Sequence, residues 1–267
     1  MTIGKEFLGF AGNKDPEKTR GKKHRELAIE KMVESAVIAV NDGILSDLRK
    51  DFMSAMGTSA GWQLEPDLDA KDGQTLLYYP AVTEPLQYVK PAVRIEFGSR
   101  SDVWPSETHM IRPYAAESFP AVFRNPEAQV TVLSAERTFW EKATILHQEA
   151  HRPEESMNPM RYSRHYYDLA MISKTPICER AINDTSLLNR VVEHKKMFFR
   201  CGWANYDMAV PGSLSLVPPK SRLAALKDDY ARMSPMMFGE SPLFQEIITE
   251  LETLEGKINN GGRAKKH

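Results

Sequence analysis

The hydrophobic pattern of the chain changes near Val130, and this change limits the folds that the sequence can adopt. Before it, apolar and charged residues alternate, most clearly at 93–97 (VRIEF), which indicates a half-buried strand. After it, apolar residues recur every three or four positions, as in the stripe within 243–258, which is typical of helices packed on a core. We therefore predict an α+β fold, with a small sheet in residues 1–130 and a helical domain in residues 131–267.

The same periodicities, together with turn residues, predict the individual elements. A first helix is expected over 24–54, with an interruption at Asn41, Asp42 and Gly43. A strand at 62–64 is expected to precede a turn at 67–73. Further strands are expected at 75–79, 88–97 and 130–133, with 109–115 pairing to 88–97. Further helices are expected at 134–150, 161–173, 187–199, 223–233 and 242–258.

The composition and the absence of several motifs exclude some classes of protein. The two cysteines, Cys178 and Cys201, form no CxxC pair, so the sequence predicts neither a zinc nor a disulfide framework and fits a reducing cytoplasm. No apolar run approaches the ~20 residues that span a bilayer, and the first ten residues lack the layout of a signal peptide. The sequence contains no GxxxxGK[ST], GxGxxG or GxSxG motif. We therefore expect a cytoplasmic protein without a membrane partner.

Positive charge is concentrated in three runs although the formal net charge is −1. They lie at 18–25, 194–200 and 263–267, and the second has Phe198 and Phe199 interleaved. Local basic patches steer phosphate-bearing partners towards a protein even when its total charge is near zero. The alternative interpretation is that each run is a solvated face.

Two predicted helices each carry a charge among apolar positions. Lys142 lies three residues after Phe139 and four before Leu146, so the three share a helix face. Asp168 shares its face with apolar residues and needs a partner when half-buried, for which Lys142 and the neighbouring Arg164 and His165 are candidates. The pair is either a structural ion pair between helices or a phosphoryl-transfer site. In a transfer site the lysine neutralises phosphate and the aspartate orients or deprotonates a hydroxyl.

Other candidate side chains are a glutamate on a strand and two histidines on a helix. Glu96 lies near the end of a predicted strand, where its carboxylate could hold Mg²⁺ or simply face solvent. His147 and His151 have a spacing that can bind zinc, which would indicate a zinc hydrolase. Gln148 stands where the zinc-protease helix has its glutamate, so that mechanism does not transfer.

Several segments together are similar to the AbiEii/AbiGii toxin family of nucleotidyltransferase-like toxins from type IV toxin–antitoxin and abortive-infection systems. The likeness runs from about Phe7 to about Leu254, and several blocks agree in order and spacing. The segments that carry it are YVKPAVRIEFGSRSDVWP at 88–105, VLSAERTFWEKATILHQEAHR at 132–152, RYSRHYYDLAMI at 161–172 and RVVEHKKMFFRCGWANYDMAVPGSLSLVPP at 190–219.

The resemblance implies a polymerase-β-like nucleotidyltransferase sheet, here partial, followed by a helical bundle. It also implies Mg²⁺, a nucleoside triphosphate and, for several members, nucleotide addition to tRNA 3′ ends. By position, Lys142 resembles the family's essential helix lysine, Asp168 its bundle aspartate and Glu96 its third strand carboxylate. These three are the expected catalytic residues, with Glu96 also the expected metal ligand. The expected nucleotide-binding residues are Lys195, Lys196, Arg164 and His165.

The sequence departs from the family pattern at two motifs. Neither the Gly-Gly-Thr/Ser loop nor the Arg-x-Ser-x-Asp-x-Asp strand of the family occurs here, and the DLD at Asp67 and Asp69 has no such loop before it. We therefore expect a family member that starts late and has little or no transfer activity. An alternative is a remnant that binds tRNA, a nucleotide or the cognate antitoxin without chemistry. An open sheet edge, which favours dimerisation, is expected as well.

Overall fold

In the computed structural model, which describes residues 1–57, 61–80, 92–157, 159–237 and 239–264, the chain divides into two compact units. The first is Met1–Val103 and the second is Trp104–His267. Helices and small antiparallel sheets are both present, so the predicted α+β class is confirmed. The hydrophobic pattern does not change at Trp104, where the second unit begins, because a β-hairpin comes first in that unit. The pattern changes only near Val130, where the helices follow.

The helical part of the first unit is continuous but changes its hydrogen bonding in the middle. Helix α1 (Lys22–Ile38) passes through a π-helical segment (Ala39–Ile44) into α2 (Leu45–Met56). The predicted interruption at 41–43 thus lies in the π segment. There the Asn41 amide donates to the Val37 carbonyl at 2.8 Å and to the Gly73 carbonyl at 2.9 Å.

The sheet of the first unit has the antiparallel order β1 (Gln63–Pro66), β2 (Thr75–Tyr79), β3 (Val93–Glu96). Leu64 is opposite Tyr78, and Leu76 is opposite Ile95. Residues 88–91 of the predicted strand lie outside the described residues. Leu64 and Leu76 pack with Ala36 of α1 in one apolar cluster, as the alternating pattern of the strands requires.

The second unit begins with a hairpin of β4 (Ser106–Ile111) and β5 (Ala128–Leu133), in which Thr108 is opposite Thr131. The predicted pairing of 109–115 with 88–97 is therefore wrong. The short helix α3 (Tyr114–Ser118) returns the chain towards β5. The connection from β3 to β4 (97–105) is shorter than the connection from β4 to β5 (112–127), so loop-closure entropy does not explain this choice of partner.

Six helices follow in the described part of the second unit. Ser134 caps the first of them by accepting a hydrogen bond from the Arg137 amide at 3.2 Å, as the sequence predicted. The third helix, which Thr175 caps and Pro176 begins, was not predicted from the sequence. Their bounds are α4 (Ala135–Ala150), α5 (Ser163–Ser173), α6 (Pro176–Asn183), α7 (Thr185–Phe198), α8 (Leu223–Met233) and α9 (Phe244–Ala264).

Helix α9 closes the core of the second unit. Its apolar stripe is buried, with Leu251 fully inaccessible, and packs in the cluster that contains Trp140 of α4 and Leu169 of α5. Its polar side also binds the loop before α8. The Glu255 carboxylate accepts from the Leu216 amide at 2.6 Å, while Asn259 bonds the backbone at 212–214. No helix in the described ranges is long and apolar enough to cross a membrane.

Candidate functional site

Lys142 on α4 and Asp168 on α5 form an ion pair between adjacent helices. The Lys142 Nζ lies 2.6 Å from Asp168 Oδ2 and 3.2 Å from His165 Nδ1. The structure thus confirms that the two predicted charges meet. The Lys142 and Asp168 side chains keep 22% and 36% of their surface exposed, so a ligand from solvent can reach both.

His165 is a neutral acceptor in this group. Burial first, and then the positive charges of Lys142, Arg164 and Lys195, lower the pKa of His165 to about 3. Because the Lys142 ammonium can only donate, His165 Nδ1 must accept and the ring proton sits on Nε2. His165 therefore orients the ammonium without competing for Asp168.

Glu141, which was not among the predicted site residues, connects Arg137 to Lys195. Its Oε1 accepts from Arg137 Nη2 at 2.9 Å and from Nε at 3.1 Å. Its Oε2 lies 3.4 Å from Lys195 Nζ, which also donates to the Glu141 carbonyl at 3.1 Å. Burial lowers the pKa of Lys195, although Glu141 acts in the opposite sense. The available signal was the four-residue spacing of Arg137 and Glu141, which also fits an ordinary surface pair.

The combined cluster carries excess positive charge. Arg137, Lys142 and Lys195 contribute three cations against the two carboxylates Glu141 and Asp168, which leaves one net positive charge beside neutral His165. A partly enclosed excess of positive charge attracts anions and can stabilise negative charge that develops on a phosphate.

The remaining predicted nucleotide contacts lie differently. Arg164 is exposed, one residue before His165 at the beginning of α5. Lys196 follows Lys195 on α7 but projects about 100° further round the helix. Its Nζ lies 2.8 Å from Glu193 and 2.6 Å from Asp207. The structure therefore brings Lys195, but not Lys196, to the Glu141 carboxylate.

The predicted metal ligand Glu96 belongs to the first unit, at the end of β3. Its carboxylate is exposed and lies 3.4 Å from Arg94 Nε, which is also 3.3 Å from Asp67. Asp67 caps the turn by accepting from the Asp69 amide at 3.1 Å. Within the described ranges, no three His, Cys, Asp or Glu side chains are placed to hold a metal ion. These side chains do not fit a magnesium site, which needs convergent oxygen ligands.

His147 and His151 have structural roles, which contradicts the zinc-hydrolase alternative. His147 is fully buried. Its Nδ1 accepts from the Ser215 amide and its Nε2 donates to the Asn205 carbonyl, both at 3.0 Å. His151 Nδ1 bonds the His147 carbonyl at 2.8 Å. Since both ring nitrogens of His147 are engaged, the ring cannot ligate a metal in this conformation.

A cavity of about 500 Å³ lies elsewhere in the second unit and is lined in part by Met160, Arg222 and Asp229. Both of these charged residues are buried and serve the backbone around them. Arg222 donates to the Pro153 and Ser156 carbonyls. Asp229 accepts from the Arg161 and Ser163 amides and from the Ser163 hydroxyl. Their charges are therefore already used in holding the loop before α5.

One comparison with known proteins gives a match. The family model described as nucleotidyl transferase AbiEii toxin, type IV TA system, matches residues 27–250, a range that includes Glu96, Lys142, Asp168 and Lys195. No curated protein and no solved structure matches the chain significantly.

Proposed function

Since this chain belongs to the AbiEii family of nucleotidyl transferase toxins from type IV toxin–antitoxin systems, we propose that the cluster around Lys142 and Asp168 transfers nucleotides from a nucleoside triphosphate to RNA. We propose the 3′ end of tRNA as the acceptor and the cytoplasm, where both substrates occur, as the compartment. The observation that carries the proposal is the accessible 2.6 Å contact between Lys142 and Asp168 beside excess positive charge.

Each side chain of the cluster has a definite task in this scheme. The Lys142 ammonium, oriented by His165 Nδ1, neutralises charge on the phosphates as the bond to the leaving group breaks. Asp168 orients the attacking hydroxyl and accepts its proton. Lys195, held by Glu141, adds positive potential from the buried side without needing to move.

The family implies a divalent metal ion in general, and we propose that Mg²⁺ arrives bound to the triphosphate. In transfer reactions such an ion neutralises charge on the phosphate oxygens. The described carboxylates do not converge on one point that could hold such an ion. Glu96, the predicted ligand, is held by Arg94 in the structure.

A second candidate function is binding without transfer, with tRNA, a nucleotide or the cognate antitoxin as the ligand. The family places an antitoxin beside every such toxin, so one partner of this chain is an antitoxin. The second candidate is favoured by the ion pair of Glu96 with Arg94 and by the lack of both a Gly-Gly-Thr/Ser loop and an Arg-x-Ser-x-Asp-x-Asp motif in these 267 residues.

A transfer assay separates the two candidates. Purified protein is incubated with total tRNA, Mg²⁺ and each labelled triphosphate in turn, and label in RNA is measured for wild type, Lys142→Met and Asp168→Asn. Lys227→Met provides the matched control because Lys227 is an exposed residue of α8. We expect Lys142→Met and Asp168→Asn to lose at least about 100-fold in transfer, as when a group that stabilises charge is removed.

The outcomes of this assay are distinct. Transfer that survives in Lys142→Met would contradict the proposed site. No transfer by wild type, with RNA or nucleotide binding that Lys142→Met weakens and Lys227→Met does not, would establish the second candidate.

We also propose that two copies associate through an open edge of the first unit's sheet. Among the described residues, β1 and β3 each pair as strands only with β2, and at the end of β3 the Glu96 carbonyl accepts from the Met1 amine. Val93 on β3 is 56% exposed, and an exposed strand edge recruits another strand. We expect light scattering after size exclusion to give a dimer mass that Val93→Lys reduces towards the monomer. A monomer mass for wild type at high concentration would contradict the association.

A further inference from the structure

An exposed tryptophan, Trp104, lies beside Arg137 of the charged cluster in the second unit. The Trp104 side chain is 53% exposed, and the Arg190 guanidinium carbon lies 4.5 Å from the centroid of its ring. An arginine at this distance holds the indole by a cation–π interaction and leaves a flat, polarised surface.

The backbone of this tryptophan is anchored to the helices that carry the proposed site. The Trp104 carbonyl accepts a hydrogen bond from Arg137 Nη1 at 2.6 Å, and the next carbonyl, that of Pro105, accepts from the Ser134 amide at 2.9 Å. Arg137 also binds Glu141, the residue before Lys142. The indole therefore has a fixed place relative to the cluster.

Further flat side chains continue from Arg190 along α7. His194 is one helical turn after Arg190, and its ring lies 4.7 Å from that of Phe198 and 6.0 Å from that of Phe199. Phe199 remains 41% exposed. From Arg190 to Phe198, the last residue of α7, the helix rises about 12 Å at 1.5 Å per residue.

We propose that this row, consisting of Trp104, Arg190, His194 and Phe199, is a stacking surface for the unpaired bases of a single-stranded RNA end. Aromatic rings and guanidinium planes stack on bases of any sequence, and the positive charge of Arg190 suits the neighbouring phosphates. A row about 12 Å long exceeds a single nucleotide, so the ligand is a strand rather than the base of the triphosphate. The choice of RNA rests on the proposed function.

Binding is measured by fluorescence anisotropy at one fixed salt concentration. The probes are a labelled single-stranded oligoribonucleotide of mixed sequence and a blunt RNA duplex with the same number of phosphates. We expect wild type to prefer the single strand and Trp104→Ala to weaken that binding about 5- to 150-fold, the range for losing one stacked base. Arg190→Ala should weaken it as well, whereas Trp104→Phe should restore most of it.

Trp203→Ala provides the matched control because Arg152 lies 4.5 Å over its ring, the same arrangement at another place. Thermal melts select the variants that are folded at the assay temperature. Equal binding by Trp104→Ala and Trp203→Ala, equal affinity for strand and duplex, or full displacement of the strand by a free mononucleotide would each overturn the inference.

These results are independent of the transfer assay. A protein that transfers no nucleotide but binds the strand through Trp104 retains the stacking surface and loses only the proposed chemistry. A protein that transfers nucleotides with a KM for RNA unchanged in Trp104→Ala retains the chemistry and loses the stacking surface.

Discussion

Replacing Glu141 with glutamine tests how strongly the candidate site depends on one carboxylate. The substitution keeps the size of the side chain and an acceptor oxygen but removes the charge that faces Arg137 and Lys195. Arg137 is fully buried and Lys195 is only 6% exposed, so neither cation can turn to water without disturbing the packing. The variant therefore leaves two buried charges without their counter-charge.

The size of the effect follows from this burial. Breaking a buried ion pair by removing one partner costs about 3–5 kcal/mol. The Glu141 side chain is 27% exposed and glutamine still accepts one hydrogen bond, so we expect a loss of about 2–3 kcal/mol in the free energy of unfolding. For a unit of this size the midpoint of thermal unfolding should fall by about 4–12 °C.

Urea unfolding followed by circular dichroism measures this loss, provided that two probes give coincident transitions. The matched control is Glu136→Gln on the same helix, because Glu136 pairs at 2.6 Å with Arg180, whose side chain is 59% exposed. Glu136 is itself 18% exposed, but Arg180 can turn to water when its partner is lost, so we expect this substitution to cost only about 0–1 kcal/mol. If Glu141→Gln and Glu136→Gln differ by less than about 0.5 kcal/mol, the cluster does not hold the helices as described.

Two further predictions concern buried charges of the second unit. Asp229→Ala should destabilise the protein by about 2–3 kcal/mol in the same urea assay, because it removes three hydrogen bonds to a charged acceptor. The control Asp228→Ala, on the exposed side of α8, should change the free energy of unfolding by no more than about 0.5 kcal/mol. Equal effects of the two substitutions would refute the role of Asp229. His165 has a pKa of about 3 when folded, so the unfolded chain binds more protons below its ordinary pKa of 6.5, and the contribution of His165 to stability is lost as pH falls from 6.5 towards 3. Between pH 6.5 and pH 5 the free energy of unfolding should therefore fall by about 2 kcal/mol more in the wild type than in His165→Gln. The control His24→Gln, at an exposed position, should behave as wild type. Parallel pH profiles for wild type and His165→Gln would show that His165 protonates freely in the folded state.

Local patterns predicted the elements of the fold better than their pairing. Helix α4 was predictable because Ser134 caps it and its apolar residues recur at helical spacing. The partner of β4 was predicted wrongly, since alternation shows which residues are half-buried but not which strand they meet. Chain entropy did not decide the choice, because the connection from β4 to β5 (112–127) is longer than the connection from β3 to β4 (97–105).

The candidate site was predictable where a charge interrupts an apolar stripe. Lys142 and Asp168 were found because a charge on an apolar face needs a partner on a neighbouring helix. Glu141 was missed because its spacing to Arg137 fits a surface pair, and only the packing of α4 against α7 brings Lys195 to it. The same packing places Lys195 inside and Lys196 outside, a distinction that two adjacent lysines in a sequence cannot show.

The position of α9 also sets when a newly made chain can complete its second unit. A ribosome that has translated the chain as far as 242 has made every other helix described in this unit, yet the apolar side chains that α9 covers still face water. The backbone amides of the loop at 212–217 can likewise be bound by Glu255 and Asn259 only after these two residues have been synthesised. Lys142 and Asp168 are thus synthesised early, but the core of their unit is complete only after α9 has emerged and packed. Translation itself therefore delays the folding of the unit that contains the proposed site.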